Sequence, residues 1–334
     1  MSMKAIVMTA PGGPEVLKLQ DLPDPVLRRD TDILVRVKAA GINPVDTKMR
    51  AKPGAYPAPI PPVLGCDGAG VVEAVGKAVT ELKPGDEVYY CQCPAHDRFG
   101  NYAQYALIDY RLVAKKPRTM TFEQAAAAPL VLITAWEALH DRVRVQPGQK
   151  VLVHAGAGGV GHVAIQLARL ADAEVCTTLG AREKMEFVAG LGVTRTILYK
   201  EENFVPAVLD WTGGRGVDVA FDTVGGKTFS DTFGVVRHYG DVVTLLQPGP
   251  EVDWSIARER NLRVSFELML IPVFRGFTDA MRHQGEILKR CAGPIETGKL
   301  RVHAGTVLPL AQAAEAHALL AAGKVVGKIV LTID

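Results

Sequence analysis

The glycine-rich segment after Val151–Val153 constrains the fold of this chain more than any other feature of its sequence. Its glycines, Gly156, Gly158 and Gly161, follow the G-x-G-x-x-G spacing, and apolar residues recur at helical intervals from Val163 onward. In a strand–turn–helix unit, the first glycine permits the tight turn, the second lets the backbone approach a pyrophosphate, and the third lets the helix pack against the strand. The free N–H groups and the positive end of the helix dipole then face the phosphates. The segment therefore predicts a buried strand, a tight turn and a helix that bind a dinucleotide.

Strand-like runs alternate with helical stretches around this turn, over residues 129–272. The predicted strands are Val151–Val153, Ala173–Thr178, Thr196–Tyr199, Val217–Asp222, Asp241–Leu246 and Arg263–Leu268. Alternation of strands and helices predicts a parallel, doubly wound α/β sheet. We therefore expect a Rossmann domain over residues 129–272.

The flanking residues have a different pattern. Residues 1–128 are rich in Val, Gly and Pro and contain short alternating runs such as Ile33–Val37 and Gly70–Val75, which are typical of an antiparallel β-barrel. Residues 273–334 return to helices and end in a strand over Lys328–Ile333. One simple arrangement joins 1–128 and 273–334 into one domain, with the last strand completing the barrel and the Rossmann domain inserted.

Composition narrows the location and the partners. The 334 residues carry a formal net charge of +2 without a long run of one sign, so nothing indicates a nucleic-acid or membrane surface. No segment reaches the roughly 18 apolar residues of a membrane span, and the N-terminus lacks the apolar region of a signal peptide. Five irregularly spaced cysteines argue against a disulfide framework. We expect a cytoplasmic protein.

Three further motifs carry a resemblance to a known family. They are Met3–Ile6, the Gly-Ile-Asn-Pro-Val-Asp run of Gly41–Asp46, and Gly327–Leu331. With the glycine turn, they make the chain resemble the medium-chain dehydrogenase/reductase superfamily over nearly its whole length. Within it the chain resembles the zinc-independent quinone oxidoreductases, the group that includes zeta-crystallin. The resemblance implies a GroES-like catalytic domain and an NADPH-dependent, metal-independent reductase that transfers hydride to a quinone or an α,β-unsaturated carbonyl.

The residues at the metal position depart from those of zinc-dependent relatives. Those relatives carry Cys where this chain has Asn43, and Gly-His-Glu where it has Gly65–Asp67. Zinc requires three or four Cys, His or carboxylate ligands, and Asn43 supplies no thiolate. Cys66 and Asp67 could in principle still ligate a metal, so a zinc-dependent alcohol dehydrogenase stays open as an alternative. We predict no bound metal.

A second metal candidate is weaker. The run of four closely spaced cysteines that holds a structural zinc in relatives is missing, and only Cys91 and Cys93 remain, with His96 nearby. Strand alternation predicts that the two cysteines share one face of a strand. The alternative is that they are ordinary strand or loop residues.

Without a metal, the site must rely on hydrogen bonds and on the position of the nicotinamide. Asn43, Asp46 and Tyr56 are the polar groups expected to meet the substrate oxygen. In the family the first two lie beside the nicotinamide end of the cofactor, and a tyrosine in the segment that matches Gly54–Pro57 borders the substrate pocket. The alternatives are that Asp46 caps a helix over Thr47–Arg50 and that Tyr56 only packs in a proline-rich loop.

The end of the second Rossmann strand indicates which nicotinamide cofactor binds. NAD-binding folds place a carboxylate there for the ribose 2′-OH, but this chain has no acid at Thr177–Gly180. Arg182 and Lys184 follow and suit a 2′-phosphate, and the resemblance implies that Lys184 and Tyr199 contact it. The alternative is that the two basic residues only begin a solvated helix. We expect NADPH.

The resemblance also matches Thr134 to a family threonine near the nicotinamide, although this threonine could instead bond its own helix backbone. The full set of residues expected to bind the cofactor is Thr134, Gly156, Gly158, Gly159, Val160, Gly161, Thr178, Lys184, Tyr199 and Leu245.

The sequence also bears on oligomeric state and on whether the protein is an enzyme. Arg263–Leu268 is the last Rossmann strand, and an apolar edge strand tends to be paired, so we expect a homodimer through the edge near Phe266. Relatives also serve as NADPH-binding crystallins that contact RNA, so a binding protein without turnover stays open. The near-neutral charge weighs against RNA.

Overall fold

The computed structural model describes residues 2–334, which divide into two compact units. The first unit contains the chain up to Ile133 together with Leu270–Gly298 and Val302–Asp334. The second unit contains Thr134–Met269 and the short segment Lys299–Arg301. The first unit is therefore discontinuous in sequence, and the second is almost one continuous stretch.

The regular elements alternate along the chain as follows. The strands are β1 Ser2–Met8, β2 Leu17–Pro23, β3 Asp32–Ile42, β4 Asp67–Val75, β5 Glu87–Cys91, β6 Tyr105–Asp109, β7 Val113–Lys115, β8 Lys150–Val153, β9 Glu174–Leu179, β10 Arg195–Leu198, β11 Val217–Asp222, β12 Val236–Thr244, β13 Arg263–Phe266, β14 Ala304–Pro309 and β15 Lys328–Thr332. The helices are α1 Pro44–Ala51, α2 Phe122–Ala126, α3 Pro129–Trp136, α4 Gly159–Leu170, α5 Met185–Ala189, α6 Phe204–Trp211, α7 Gly226–Thr232, α8 Trp254–Glu259, α9 Ile271–Arg275, α10 Thr278–Glu296 and α11 Ala313–Ala321.

The second unit is built on a six-stranded parallel sheet in the order β10-β9-β8-β11-β12-β13. Its strands are buried because helices follow each strand and cover the sheet, which explains their continuous apolar runs. Leu152, Val242 and Phe233 belong to a hydrophobic core cluster of this unit. The strand order reverses beside β8, and ligands of such sheets bind outside the carboxyl ends of the strands at this reversal. The prediction of a doubly wound parallel sheet is confirmed.

The first unit contains a seven-stranded sheet in the order β14-β15-β3-β4-β5-β7, with β6 also paired to β3. It is antiparallel except for β14 and β15, which run parallel. A separate hairpin of β1 and β2 contacts this part of the fold through isolated bridges at Ala5 and Val7. The last strand, β15, pairs with β3, so the C-terminal segment joins the N-terminal sheet.

The strand register of the first unit brings three distant sequence positions together. Antiparallel pairing sets Gly41 of β3 opposite Asp67 at the start of β4, and Ile42 opposite Ile329 near the start of β15. The residue after β3, the first residue of β4 and the first residue of β15 therefore share one end of the sheet. Gly41 must be glycine, because a Cβ there would lie 2.2 Å from the Ala126 carbonyl oxygen of α2.

The cysteine prediction was wrong at one pair. Cys66 and Cys93 form a disulfide, with their Cα atoms 4.0 Å apart. Cys66 precedes β4 and Cys93 follows β5, and Asp67 is opposite Cys91 in the antiparallel register, so the flanking residues meet. Cys93 is therefore not on a strand face beside Cys91, contrary to the expectation from alternation. Within residues 2–334, no helix is long and apolar enough to cross a bilayer.

Candidate active site and cofactor site

The glycine turn of the second unit has the geometry of a phosphate-binding loop. A Cβ at Gly161 would lie 2.3 Å from the Ala155 carbonyl oxygen, and a Cβ at Gly156 would lie 2.1 Å from Thr177 Oγ1. Helix α4 begins directly after Gly158, whose extended backbone leaves the first N–H groups of the helix open. These groups and the helix dipole attract an anion, so the turn fits the pyrophosphate of a dinucleotide.

The neighbouring strand β9 braces this turn. The backbone N–H of Ala155 donates to Thr178 Oγ1 at 3.1 Å, and that of Gly156 donates to the Thr178 carbonyl oxygen at 3.2 Å. The same hydroxyl contacts Nδ1 of His154 at 3.1 Å. Burial lowers the pKa of His154 to about 4, so the ring is neutral near pH 7. Thr178 therefore has a structural role in shaping the loop.

The two basic residues after β9 have different surroundings. Arg182 is bonded by Glu201 at both ends of its guanidinium, with Nε donating to Oε1 at 2.9 Å and Nη2 to Oε2. Lys184 is half-buried, and although its backbone N–H donates to the Ala181 carbonyl oxygen at 3.3 Å, its ammonium takes part in no ion pair or hydrogen bond within residues 2–334. Lys184 is thus the basic group available to a ligand phosphate, whereas a carboxylate already neutralises Arg182.

Tyr199, Thr134 and Leu245 lie on different elements of the second unit. Tyr199 is exposed, and its hydroxyl approaches Gly180 so closely that a Cβ there would lie 2.8 Å from it. With Ala155 and Thr178, Tyr199 lines a cavity of about 530 Å³. Thr134 is buried on α3, and Leu245 follows β12 half-buried.

In the first unit, Asn43, Asp67 and Lys328 form a buried polar cluster at the shared end of β3, β4 and β15. The Lys328 ammonium donates to the Ile42 carbonyl oxygen at 3.0 Å, to Asn43 Oδ1, and to Asp67 Oδ2 at 3.3 Å. Asn43 Nδ2 donates to the same Asp67 oxygen at 2.9 Å. The Leu130 backbone N–H donates to Asp67 Oδ1 at 2.8 Å. Burial raises the pKa of Asp67, and the ammonium opposes that shift.

Asp46 lies one turn into α1 and is completely buried. Its Oδ2 accepts the Asn43 backbone N–H at 2.8 Å, so it does cap the start of α1. Its Oδ1 has no hydrogen-bond partner within the described residues 2–334. Burial raises the pKa of Asp46 to about 7, although the bond from Asn43 lowers it. A carboxyl with this pKa can hold or release a proton near neutral pH.

Tyr56 follows a short 3₁₀ turn over Pro53–Ala55 and lies in the wall of an open cavity of about 380 Å³. Its ring packs against Phe274 with centroids 5.8 Å apart. Burial and the charge of Asp46 raise the pKa of Tyr56 to about 12, so the phenol keeps its proton at neutral pH. The hydroxyl can therefore act as a hydrogen-bond donor.

Comparisons with known proteins agree with this arrangement. Residues 29–118 match the alcohol dehydrogenase GroES-like domain, and residues 191–331 match the zinc-binding dehydrogenase family. A quinone oxidoreductase of Pseudomonas aeruginosa is 34% identical over 98% of this chain and 99% of its own. An NADPH-dependent alkenal/one oxidoreductase of Arabidopsis thaliana is also 34% identical, over 98% of this chain and 79% of its own. The Escherichia coli quinone oxidoreductase structure with NADPH superposes with a TM-score of 0.85, at 29% identity over 100% of both chains.

The chain belongs to the quinone oxidoreductases of the medium-chain dehydrogenase/reductase superfamily. This confirms the family that the motifs indicated.

In this chain, a lysine lies among the residues that occupy the positions of the metal ligands in zinc-dependent relatives. Within residues 2–334, no group of three or more His, Cys, Asp or Glu side chains is placed to hold a metal. The ammonium of Lys328 instead lies between Asn43 and Asp67. Cys66 and Cys93 form a disulfide, so Cys93 has no free thiol with which to bind a metal together with Cys91 and His96.

Sequence reasoning missed four residues of this region: Asp67 as the partner of Asn43, Tyr102, His317 and Lys328. Each bonds a residue at least 24 positions away, and most of these partners are over 200 positions away. Lys328 lies in the Gly327–Leu331 motif. A lysine at the start of an otherwise apolar strand was the sequence signal that could have identified it.

Proposed function

We propose that this quinone oxidoreductase is an NADPH-dependent, metal-independent reductase that transfers hydride to a quinone or an α,β-unsaturated carbonyl. The observation that carries the proposal is the Lys328 ammonium, bonded to both Asn43 and Asp67. A fixed cation already satisfies the oxygens that a metal would need, and a divalent ion beside it would be repelled. Quinones and enones require less Lewis acidity than isolated ketones because their developing charge is spread onto a distant oxygen.

NADPH fits the second unit better than NADH. The turn of Gly156–Gly161 takes the pyrophosphate, and no acid ends β9 where a 2′-OH would need one. The Lys184 ammonium is unpaired and suits a phosphate dianion, and Tyr199 lines the cavity that Ala155 and Thr178 also line. The other residues that we propose to bind NADPH are Thr134, Gly159, Val160, Thr178 and Leu245. The relatives from A. thaliana and E. coli are an NADPH-dependent enzyme and an NADPH complex by name.

The chain supplies the proton that must accompany the hydride. When bound, NADPH supplies the hydride that reduces the acceptor. In our proposal the Tyr56 O–H bond breaks as its proton moves to the acceptor oxygen, and the protonated Asp46 carboxyl then returns a proton to Tyr56. The proton that is used comes in the end from solvent, so one NADPH and one proton are used for each acceptor. Asn43 anchors the cap that holds Asp46.

Tyr56→Phe tests the proton donor. A donor that acts mainly in the transition state contributes on the order of 100-fold, so kcat with an enone should fall by about that factor while NADPH affinity is unchanged. A quinone should show a smaller loss because its charge is delocalised. Tyr105→Phe, at a half-buried tyrosine of β6, is the matched control and should keep its turnover. Unchanged kcat in Tyr56→Phe on the best substrate would remove Tyr56 from the mechanism.

An NADPH-oxidation screen over quinones, enones, aldehydes and alcohols tests the function as a whole. We expect oxidation with the first two classes in protein that elemental analysis shows to be free of zinc. Stoichiometric zinc together with activity lost to a chelator would favour the alcohol dehydrogenase alternative. RNA retention that depends on salt, without NADPH oxidation, would favour the crystallin-like alternative.

We also propose a homodimer and a cytoplasmic location. Among the strands of residues 2–334, β13 pairs with β12 alone, and Phe266 and Leu268 are 51% and 54% exposed. A second copy that offers the same edge would continue the sheet across a two-fold axis. Light scattering at micromolar concentration should give the mass of a dimer, and a monomeric mass would contradict this.

A further inference from the structure

Arg50, His317 and Tyr102 form a chain of buried hydrogen bonds in the first unit. Tyr102, which precedes β6, lies with its hydroxyl 3.1 Å from Nε2 of His317 on α11. Nδ1 of the same ring lies 2.9 Å from Nη1 of Arg50 on α1. Arg50 is in turn fixed by its Nε, which donates to the Gly12 carbonyl oxygen at 3.0 Å. Tyr102 and His317 are completely buried, and Arg50 is almost so.

The chemistry of the three side chains determines which group donates and which accepts in each of these hydrogen bonds. A guanidinium can only donate, so Arg50 requires Nδ1 of His317 to accept. Burial and the charge of Arg50 lower the pKa of His317 to about 3, so the ring is neutral and its one proton is on Nε2. Nε2–H must then donate to the Tyr102 oxygen. The Tyr102 hydroxyl hydrogen is left over for another acceptor.

Asp46 is that acceptor. Burial, the charge of Asp46 and a side-chain hydrogen bond with Asp46 raise the pKa of Tyr102 well above its usual value, so the two side chains are neighbours. Oδ1 of Asp46 is completely buried and is bonded by no other group within residues 2–334. An unused hydroxyl hydrogen and an unused carboxylate oxygen thus meet in a dry environment, where an unmade hydrogen bond costs most.

We propose that Arg50, His317 and Tyr102 are positioning residues that act through Asp46, and that they orient the Tyr102 hydroxyl toward its carboxyl and so set its proton affinity. The inference rests on the proposed function, in which Asp46 returns the proton to Tyr56. The charged and titratable groups that interact with the Asp46 carboxyl are Tyr56, Asp67, Cys91, Tyr102 and Lys328. Among these, Tyr102 is the one that continues into the Arg50–His317 chain.

The sign of the effect follows from the direction of the bonds. Asp46 must hold a proton for the reduction, so the rate should fall as pH rises through its pKa. A donor to the carboxylate stabilises the charged form, and Tyr102→Phe removes that donor. The pKa of Asp46 should then rise. The alkaline limb of the pH profile of kcat should therefore shift toward higher pH by about one pH unit, as expected for the loss of one charge-assisted hydrogen bond.

The experiment compares pH profiles of kcat for the unaltered enzyme, Tyr102→Phe and a matched control. Tyr90→Phe is that control, because Tyr90 is completely buried on β5 and its hydroxyl has no hydrogen-bond partner within residues 2–334. The alkaline limb of the pH profile of Tyr90→Phe should stay at the pH found for the unaltered enzyme. A limb that does not move in Tyr102→Phe, or that moves equally in Tyr90→Phe, overturns the proposal.

Variants of His317 add a rescue. Gln can accept from Arg50 and donate to Tyr102, so His317→Gln should keep the limb near its original position. His317→Leu can do neither and should move the limb in the same direction as Tyr102→Phe. If Gln and Leu shift the limb alike, His317 only fills space.

Two measurements need no turnover and separate this inference from the proposed function. Long-range ¹⁵N–¹H spectra of the protein without cofactor should show His317 as the neutral Nε2–H tautomer, assigned by the signal lost in His317→Gln. A ¹³C titration of the Asp46 carboxyl should show a higher pKa in Tyr102→Phe than in Tyr90→Phe. If both hold while no acceptor oxidises NADPH, only the proposed function fails. An Nδ1–H tautomer or equal carboxyl titrations overturn the inference whatever the activity.

Discussion

The glycine loop of the second unit and the buried polar cluster of the first unit are built from different parts of the chain. In the second unit, the loop of Gly156–Gly161 offers backbone N–H groups, and its shape depends on the absence of side chains. In the first unit, Asn43, Asp67 and Lys328 offer charged and amide groups that are buried and bonded to one another. The glycine loop should lose its shape when a side chain is added to one of its glycines. The buried cluster should lose stability when one of its charged groups is removed.

The difference also bears on stability. A backbone loop contains no charge that must be compensated, so it costs little when no ligand is bound. The buried cluster of the first unit balances one carboxylate against one ammonium, and each is costly without the other. The largest effect should therefore come from breaking this pair.

Lys328→Met should destabilise the protein more than any other single substitution in either site. It leaves the buried Asp67 carboxylate without its cation, which typically costs about 3–5 kcal/mol. Urea unfolding followed by circular dichroism measures the loss. The double variant Lys328→Met with Asp67→Asn removes both charges and should recover much of the stability. If the double variant is as unstable as the sum of the single variants, the two side chains do not form the pair that the distances indicate.

The same contrast explains what could be predicted from the sequence. The glycine turn is local, with a strand, a loop and a helix within about twenty residues, so its spacing was enough to predict its structure. The Lys328–Asp67 pair spans 261 positions and depends on the register of β15 and β4 against β3. One residue of slip in either strand would turn these side chains to the other face. The Cys66–Cys93 disulfide was missed for the same reason, because it depends on the pairing of β4 and β5.

Gly161→Val should have the next largest effect, through volume instead of charge. Its Cβ would lie 2.3 Å from the Ala155 carbonyl oxygen, a backbone atom that cannot move aside. Overpacking of this kind costs about 1–3 kcal/mol or more, and it should also abolish tight NADPH binding. Gly158→Ala is the matched comparison, because its Cβ would lie 3.2 Å from the same oxygen. It should fold almost normally and weaken NADPH only. Equal stability losses in the two variants, measured by thermal unfolding, would contradict the assigned packing role of Gly161.

His154 gives the second unit a dependence on acid that can be measured. Burial lowers its pKa to about 4, so between that value and its usual 6.5 the unfolded chain binds a proton that the folded chain does not. Its contribution to stability is therefore complete above pH 6.5 and is lost as pH falls. Between pH 7 and pH 5 the loss should be about 2 kcal/mol. His154→Gln should reduce the difference in unfolding free energy between these two pH values by that amount. A difference as large as in the unaltered protein would show that His154 is not the group responsible.

The smallest effect should come from Lys184, which we propose contacts the 2′-phosphate of NADPH. Lys184 is uncommitted, whereas Glu201 already bonds Arg182 at both ends of the guanidinium. Lys184→Ala should therefore weaken NADPH about tenfold, the loss expected for one charge-assisted bond, and leave NADH nearly unchanged. Arg182→Ala should change NADPH affinity less, because it removes a charge that is already neutralised. Fluorescence titration with both cofactors measures these affinities. Equal losses of NADPH and NADH affinity in Lys184→Ala would mean that the lysine acts away from the 2′-phosphate.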